Sequence, residues 1–471
     1  MNYISTRGQA ASLDFEAVLM AGLARDGGLY VPERWPHIAT DEIGGLGRKS
    51  YVAAAAGIMQ PFVGKAIPAE DFAALVEAAY AGFTHQAKVP LVQLDSDLWL
   101  LELFHGPTSA FKDLAMQLLG LLMDRALQRS GERTTILAAT SGDTGAAAVE
   151  AFRDREAIDL FVLFPDGRIS DIQRRQMTTS GAANVHPVAV RGTFDDCQGI
   201  VKALFGDLKF RDEAQLSAVN SINWARIMAQ TVYYFTAAAA LGSPHRPVSF
   251  SVPTGNFGDI FAGYAAMRMG LPIDRLVIAT NTNDILARTL QTGRYEPHAV
   301  VPTSSPSMDI QISSNFERLL FEAGGRDPAR IRALMAAFQD EGAFTLSQSE
   351  LAAIGALFSA YRADETETAE TMRRVYRATG YIADPHTGVG LAAAAKAQQS
   401  TDAPMIVLAT AHPAKFPDAV ERAVGRAPAI PDSLRRVLTG REQFTPLDAD
   451  AGAIRAFIKA RARSAGKSVS P

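Results

Sequence analysis

The sequence predicts an α/β fold of open, mostly parallel sheets covered by helices on both faces. Two observations predict it. From Leu98 onward, short runs rich in Val, Leu, Ile and Phe alternate with longer stretches of helical periodicity, the pattern of strands joined by helical crossovers. Three Gly-containing polar segments also stand where such a run gives way to a helix, the place where ligands bind in open α/β sheets.

Taken in order, residues 1–95 read as a mainly helical N-terminal domain. Within it, Glu70 to Tyr80 puts Phe72, Leu75, Val76 and Ala79 on one helical face. The turn Asp26-Gly27-Gly28-Leu29 interrupts the region, and its paired glycines suit positive φ. Leu98–Leu103 is expected as a strand, followed by a helix from about Ala110 to Arg129 with Leu114, Leu118, Leu121 and Leu122 along its stripe. Strands follow at Thr135–Ala139, Leu160–Phe164 and Val185–Val190, with helices from Thr144 and near Ile172, and a helix of about twenty residues begins near Ile222. Further strands are Val248–Val252, Leu276–Ala279 and Met405–Ala409, each leading into a helix. Residues 300–365 break the rhythm and read as a helical insertion, with helices at Phe316–Ala323 and Ile331–Gln339 after a loop containing Pro302 and Pro306. The expected division is a larger α/β domain from 96–133 and 240–430, a smaller one from 134–239, and a C-terminal tail segment from 431–471.

The 471 residues suffice for two or three domains, and 48% apolar with 20% charged residues is ordinary for a soluble protein. A net charge of −4 with no long basic stretch gives no nucleic-acid track. Lys459, Arg461, Arg463 and Lys467 make the tail faintly basic, and it reads as a frayed end. Cys197 is the single cysteine, so an intrachain disulfide and a cysteine zinc cluster are both excluded, and no metal is expected. There is no signal pattern at the start and no apolar run of transmembrane length, which points to the cytoplasm and away from membranes.

Lys112 stands in His105-Gly106-Pro107-Thr108-Ser109-Ala110-Phe111-Lys112-Asp113 at a helix start. A lysine there is mildly disfavoured by the helix dipole, and by itself it reads as a solvated side chain. An aldehyde cofactor reverses that cost, because the dipole and desolvation both favour the neutral amine that bonds an aldehyde. Pro253-Thr254-Gly255-Asn256-Phe257-Gly258-Asp259 would let backbone N–H groups converge on a phosphate, with Gly258 expected at positive φ; the plainer reading is a tight strand–helix turn. Thr140-Ser141-Gly142-Asp143-Thr144-Gly145 offers hydroxyls and amides to a carboxylate or phosphate, or simply caps a helix.

Together these segments resemble the fold type II pyridoxal phosphate (PLP) enzymes and, more closely, the threonine synthases. Tyr3-Ile4-Ser5-Thr6-Arg7-Gly8, Asp26 to Tyr30, Ser307-Met308-Asp309-Ile310, Asp384-Pro385-His386-Thr387-Gly388 and Thr410 to Phe416 extend the resemblance along the chain. It implies two open, mostly parallel α/β domains, a mainly helical N-terminal region and a helical insertion. It also implies that Lys112 bonds the cofactor and moves protons, and that Gly255, Asn256, Phe257, Gly258 and Asp259 hold the cofactor phosphate. Thr410 would face the pyridine nitrogen with a hydroxyl, leaving the ring nearer neutrality than a carboxylate would. Ser141, Gly142, Asp143 and Thr144 would take the substrate carboxylate, while Asn223 and Arg226 would hold its phosphate, Arg226 through paired hydrogen bonds. Relatives elsewhere in fold type II often carry Asn in place of Asp143.

The implied reaction is the β,γ-elimination of phosphate from O-phosphohomoserine and addition of water to give threonine, by a monomer or homodimer. A phospholyase or a serine/threonine dehydratase releasing a keto acid is the nearest alternative. A cofactor-free phosphate-binding protein is a more distant one, which has no need of Lys112.

Overall fold

The computed structural model describes residues 1–397 and 402–463. Strands apolar on both faces need cover on both sides, and Val248–Pro253 is buried at every position. It lies inside a six-stranded sheet ordered Phe358–Arg362, Ile273–Thr280, Val248–Pro253, Met405–Ala409, Leu98–Glu102 and Leu91–Gln93. All neighbours are parallel except the last pair. A second, five-stranded sheet runs Thr445–Asp448, Val185–Arg191, Ile158–Pro165, Thr134–Ala139 and Leu216–Ser217, parallel throughout.

Two long helices sit deep in the molecule. Trp224–Ala240 is buried around nearly its whole circumference, and the sequence matches, with apolar or small residues on every side. Lys112–Ser130 buries Leu114, Leu118 and Leu122, as its stripe predicts, while Leu121 is only half-buried. It packs closely on helix Asp143–Phe152, where Gly120 lies against the Ala151 carbonyl; a Cβ at 120 would stand 2.6 Å from that oxygen.

The mainly helical N-terminal region stands, with one strand pair added, and three other expectations need correction. The N-terminal region is helical at Phe15–Ala21, Tyr51–Val63 and Ala69–Tyr80, but it also pairs Tyr3–Ser5 with Tyr30–Pro32 as antiparallel strands. Of its paired glycines only Gly27 has positive φ, at 78°. The insertion is not wholly helical: Phe358–Arg362 leaves it to become an edge strand of the larger sheet. A short mixed-polarity segment suits an edge, where one side stays in water, and so lacks the apolar run of a central strand.

The tail is not frayed over its described length. Thr445–Asp448 extends the smaller sheet and Ala451–Arg461 is a helix. Its charges have partners: Arg463 binds the buried Asp159 through its backbone N–H at 2.7 Å and its Nε at 2.8 Å, and Lys459 meets Glu213 at 3.0 Å. Lys467 lies outside the described residues. Among the described residues, no helix is long and apolar enough to cross a membrane, and no group of His, Cys, Asp or Glu is arranged to hold a metal ion. Cys197 is buried, and burial pushes its thiol up to about 12, so it stays a protonated packing group.

Candidate active site

The three segments singled out in the sequence all lie at carboxyl ends of strands. Leu98–Glu102 feeds the Lys112 loop, Thr134–Ala139 feeds the Asp143 turn, and Val248–Pro253 feeds the turn before helix Gly258–Arg268. The Lys112 loop is stitched to the end of strand Met405–Ala409: Phe111 N–H donates to the Thr410 carbonyl at 2.8 Å, and His412 N–H to the Ser109 carbonyl at 3.0 Å. Ser109 takes positive φ, 58°, to make that turn. Thr410 is therefore fixed beside the residues that lead into Lys112, and it is 5% exposed. Asp113 ties the loop from inside, accepting from Thr108 N–H at 2.8 Å and from Thr108 Oγ1 at 2.7 Å.

Lys112 begins its helix with about nine-tenths of its side chain covered. Burial lowers its pKa to about 8, against the pull of Asp143 and with the help of the Arg226 and Lys415 charges. An amine held there is neutral far more often near pH 7–8 than an ordinary lysine, as bonding to an aldehyde requires.

Asp143 has a different setting from the one expected. Its Oδ1 accepts from Lys415 Nζ at 2.8 Å and Gln173 Nε2 at 2.9 Å, and its Oδ2 lies 3.8 Å from Lys112 Nζ. Burial by itself would raise its pKa, but Lys415 and Lys112 hold it well below the usual carboxylate range. An ionised carboxylate repels another carboxylate, so its side chain is a counter-ion to lysines and not a ligand for the substrate's acid group. The Gly142 amide is also engaged, donating to Thr140 Oγ1 at 3.0 Å. The expected binding of a carboxylate by Ser141 to Thr144 is then left to the Ser141 and Thr144 hydroxyls and to the Asp143 N–H, which finds no acceptor among the described residues.

The turn after Val248–Pro253 directs its carbonyls away from its amides. Gly255 O accepts from Ser313 Oγ at 2.7 Å, and Asn256 O accepts from Asn315 N–H at 3.1 Å and Asn315 Nδ2 at 2.9 Å. Among the described residues, the N–H groups of Asn256, Phe257 and Gly258 find no acceptor. Phe257 carries the positive φ, 64°, and Gly258 does not, contrary to expectation. The two glycines have different reasons: a Cβ on Gly255 would stand 2.8 Å from the Ser307 carbonyl, whereas one on Gly258 would make only ordinary contacts, with Asn315 Nδ2 at 3.4 Å, Ile227 at 3.7 Å and Ser221 at 3.8 Å. Gly258 is thus required by neither backbone nor neighbours, and it leaves a shallow cradle at a helix start beside unpaired amides. That cradle fits a phosphate group.

On the expectation that this turn holds the cofactor phosphate, Gly258→Val should fold normally and weaken PLP binding by about 10- to 100-fold, the loss of a few amide contacts. Unchanged affinity in a PLP titration would put the phosphate elsewhere.

Asp259, one residue on, has Oδ1 held by the hydroxyls of Tyr233 and Tyr234, while Oδ2 is buried without a partner. Burial raises its pKa to about 6 despite those two hydrogen bonds. The side chain thus faces the tyrosines of helix Trp224–Ala240 rather than the turn.

Arg226 is 3% exposed. Its Nη1 donates to the Val219 carbonyl at 3.2 Å, its Nε has no partner, and among the described residues it meets no carboxylate. Burial brings its pKa down to about 10. Asn223 caps the same helix, accepting from Ala225 N–H at 3.0 Å and donating to the Leu19 carbonyl at 2.9 Å. One amide hydrogen therefore remains for any ligand.

Several supporting residues escaped the sequence reading. Lys415 and His386 lie in motifs that were noticed; Lys415 finds Asp143 far off in sequence, while His386 pairs with nearby Asp384 and with distant Ser307. His386 Nδ1 meets Asp384 Oδ1 at 2.8 Å and its Nε2 accepts from Ser307 N–H at 3.3 Å, so the ring braces the turn Pro306–Met308 where it lies against Gly255. Arg318, fully buried, binds Asn315 Oδ1, the Tyr30 carbonyl at 3.0 Å and the Ile222 carbonyl at 2.6 Å. It thereby joins the insertion, the N-terminal domain and the segment before Arg226.

Comparison with known proteins accords with this geometry. A pyridoxal-phosphate dependent enzyme family matches residues 83–410, the threonine synthase N terminus matches 2–80, and the threonine synthase C-terminal family matches 387–458. Threonine synthase of Pseudomonas aeruginosa is 50% identical over 459 residues, covering 97% of this chain and 98% of that protein. The Saccharomyces cerevisiae enzyme is 41% identical, covering 94% of each. Among solved structures, PLP-bound threonine synthase from Brucella melitensis superposes with a TM-score of 0.95 at 56% identity, covering 98% of this chain and 100% of that one. Threonine synthase from Escherichia coli gives 0.83 at 32% identity, covering 98% and 100%.

Proposed function

The chain belongs to the threonine synthases, PLP-dependent enzymes that eliminate phosphate, and we propose that it acts on O-phosphohomoserine with Arg226 gripping the substrate phosphate. The observation that carries this reading is a buried guanidinium that, among the described residues, has no carboxylate partner and an unpaired Nε, and whose charge helps lower the Lys112 pKa. Such a charge is costly to bury, and a dianionic ligand offsets that cost. Gly255 to Gly258 would hold the cofactor phosphate through backbone amides, and Thr410 would meet the pyridine nitrogen with its hydroxyl.

When bound, the cofactor supplies an electron sink that acidifies the carbon bearing the amino group. The Ser141 and Thr144 hydroxyls would orient the substrate carboxylate beside Lys112. Lys112 would take a proton from Cα and then one from Cβ as phosphate leaves Cγ, and return a proton to Cγ; water then adds its hydroxyl at Cβ, and the second proton returns to Cα to complete threonine. One amine can serve these positions because a proton carrier must stay within hydrogen-bond reach of each atom it serves, and its lowered pKa lets it both accept and release protons near neutrality. Arg226 would hold the phosphate through departure, when its charge is greatest.

Product analysis tests the reading. Incubation with O-phosphohomoserine should give threonine and phosphate in equal amounts. Release of 2-oxobutanoate in place of threonine would make the chain a keto-acid-forming lyase.

A further inference from the structure

We infer that Lys415 is a positioning residue for catalysis: by pairing with Asp143 it keeps that carboxylate from locking Lys112 as an ammonium ion. The inference rests on Lys112 as the cofactor-bonding lysine. It starts from an arrangement in which one buried carboxylate is shared unequally by two lysines. Lys415 is completely buried, and its Nζ donates to Asp143 Oδ1 at 2.8 Å and to the Thr108 carbonyl at 2.9 Å. Lys112 stands farther off, 3.8 Å from Oδ2. Gln173 takes a further share of Oδ1 at 2.9 Å.

The placement of Lys415 is built into the fold. It ends the short turn Pro413–Lys415 that follows Thr410, where its N–H donates to the His412 carbonyl at 3.0 Å and Ala414 N–H donates to His412 Nδ1 at 3.1 Å. Thr108, whose carbonyl it holds, is anchored by Asp113 within the Lys112 loop. Lys415 therefore joins the cofactor-side strand, the Lys112 loop and the helix of the smaller sheet at one atom.

The electrostatic consequence follows from counting the charges around Lys112. Among the described residues, the charges of Asp143, Lys415, Arg226 and Asp259 act on Lys112, and they come from four elements: helix Asp143–Phe152, the turn Pro413–Lys415, helix Trp224–Ala240 and helix Gly258–Arg268. With Lys415 in place, Asp143 is already neutralised, and Lys112 sees a dipole and not a bare anion. Without it, Lys112 becomes the nearest cation to a buried carboxylate, and its proton is held more tightly. Too firm an ammonium can neither bond an aldehyde nor act as a base.

The test measures the amine itself. Full-length protein freed of cofactor is labelled with an amine-reactive reagent across a range of pH, and modification at Lys112 is read by peptide mass spectrometry. In Lys415→Met the midpoint for Lys112 should rise by about one pH unit or more, a roughly tenfold loss of free amine near neutrality. Lys415→Arg keeps the charge and should stay near the wild-type midpoint. In the double variant Asp143→Asn/Lys415→Met, with both charges gone, the midpoint should fall back to the wild-type value or below. The pH profile of kcat/KM for the PLP-loaded enzyme should move in the same order.

An unchanged midpoint in Lys415→Met, or equal displacement in the single and double variants, would overturn the inference. Should Lys415→Met fail to fold, Lys415→Arg and Asp143→Asn decide the matter. Asp143→Asn must lower the Lys112 midpoint, and a rise would refute the shared-carboxylate arrangement. The labelling midpoints do not depend on whether Lys112 carries the cofactor, which Lys112→Ala tests separately.

Discussion

Lys112→Ala is expected to lower threonine formation by about a thousandfold or more, because in the proposed reaction it would remove both the bond to the cofactor and the proton carrier. The fold should survive. Lys112 lies 3.8 Å from Asp143, and the carboxylate keeps Lys415 and Gln173 when Lys112 is lost. Circular dichroism and Tm should match the parent, while the visible absorbance of protein-bonded PLP should be missing. A variant that still forms threonine at a few per cent of the parent rate would take Lys112 out of the reaction.

Arg226→Leu should separate substrate phosphate from cofactor phosphate. Losing a charge-assisted contact to a buried phosphate costs about 2–5 kcal/mol, or roughly 30- to several-thousand-fold in kcat/KM. The PLP spectrum should be unchanged, since the unpaired amides of Asn256, Phe257 and Gly258 lie on a different helix start. Thermal stability without substrate should not fall, because leucine replaces a guanidinium that is buried without a carboxylate partner. Loss of PLP would transfer Arg226 to the cofactor site, and unaltered kcat/KM would end its role in substrate recognition.

Much of the fold was legible because central strands are uniform apolar runs with polar turns at their ends. Met405–Ala409 and helix Phe316–Ala323 stand where the sequence puts them, and helix Trp224–Ala240 starts two residues beyond Ile222 because Asn223 is its cap. The edge strands Phe358–Arg362 and Thr445–Asp448 were illegible for the opposite reason, being short, partly exposed and mixed in polarity. In the site, the positions at strand ends could be read, since each needs glycines, hydroxyls or an amine at a helix start. The identity of Asp143 as a counter-ion could not. That role is set by Lys415, which reaches it from the far side of the chain, and only the completed fold brings the two together. The conformation of the phosphate turn was misread for a related reason: Phe257 tolerates its positive φ because the surrounding packing holds its ring between Phe316 and Phe358.

The return of the chain at Thr445–Asp448 has a consequence for synthesis. The smaller sheet begins at Thr134, yet its outer strand pairs with Val188 to Arg191 only after the last strand of the larger sheet, Met405–Ala409, has been made. While the intervening residues are being made, the edge of Val185–Arg191 keeps its backbone donors and acceptors open, as sticky to another nascent chain as to its own end. The last-made segment thus acts as a closure that removes an aggregation edge, and a chain stopped short of residue 445 would carry a nearly complete catalytic centre together with an unprotected sheet.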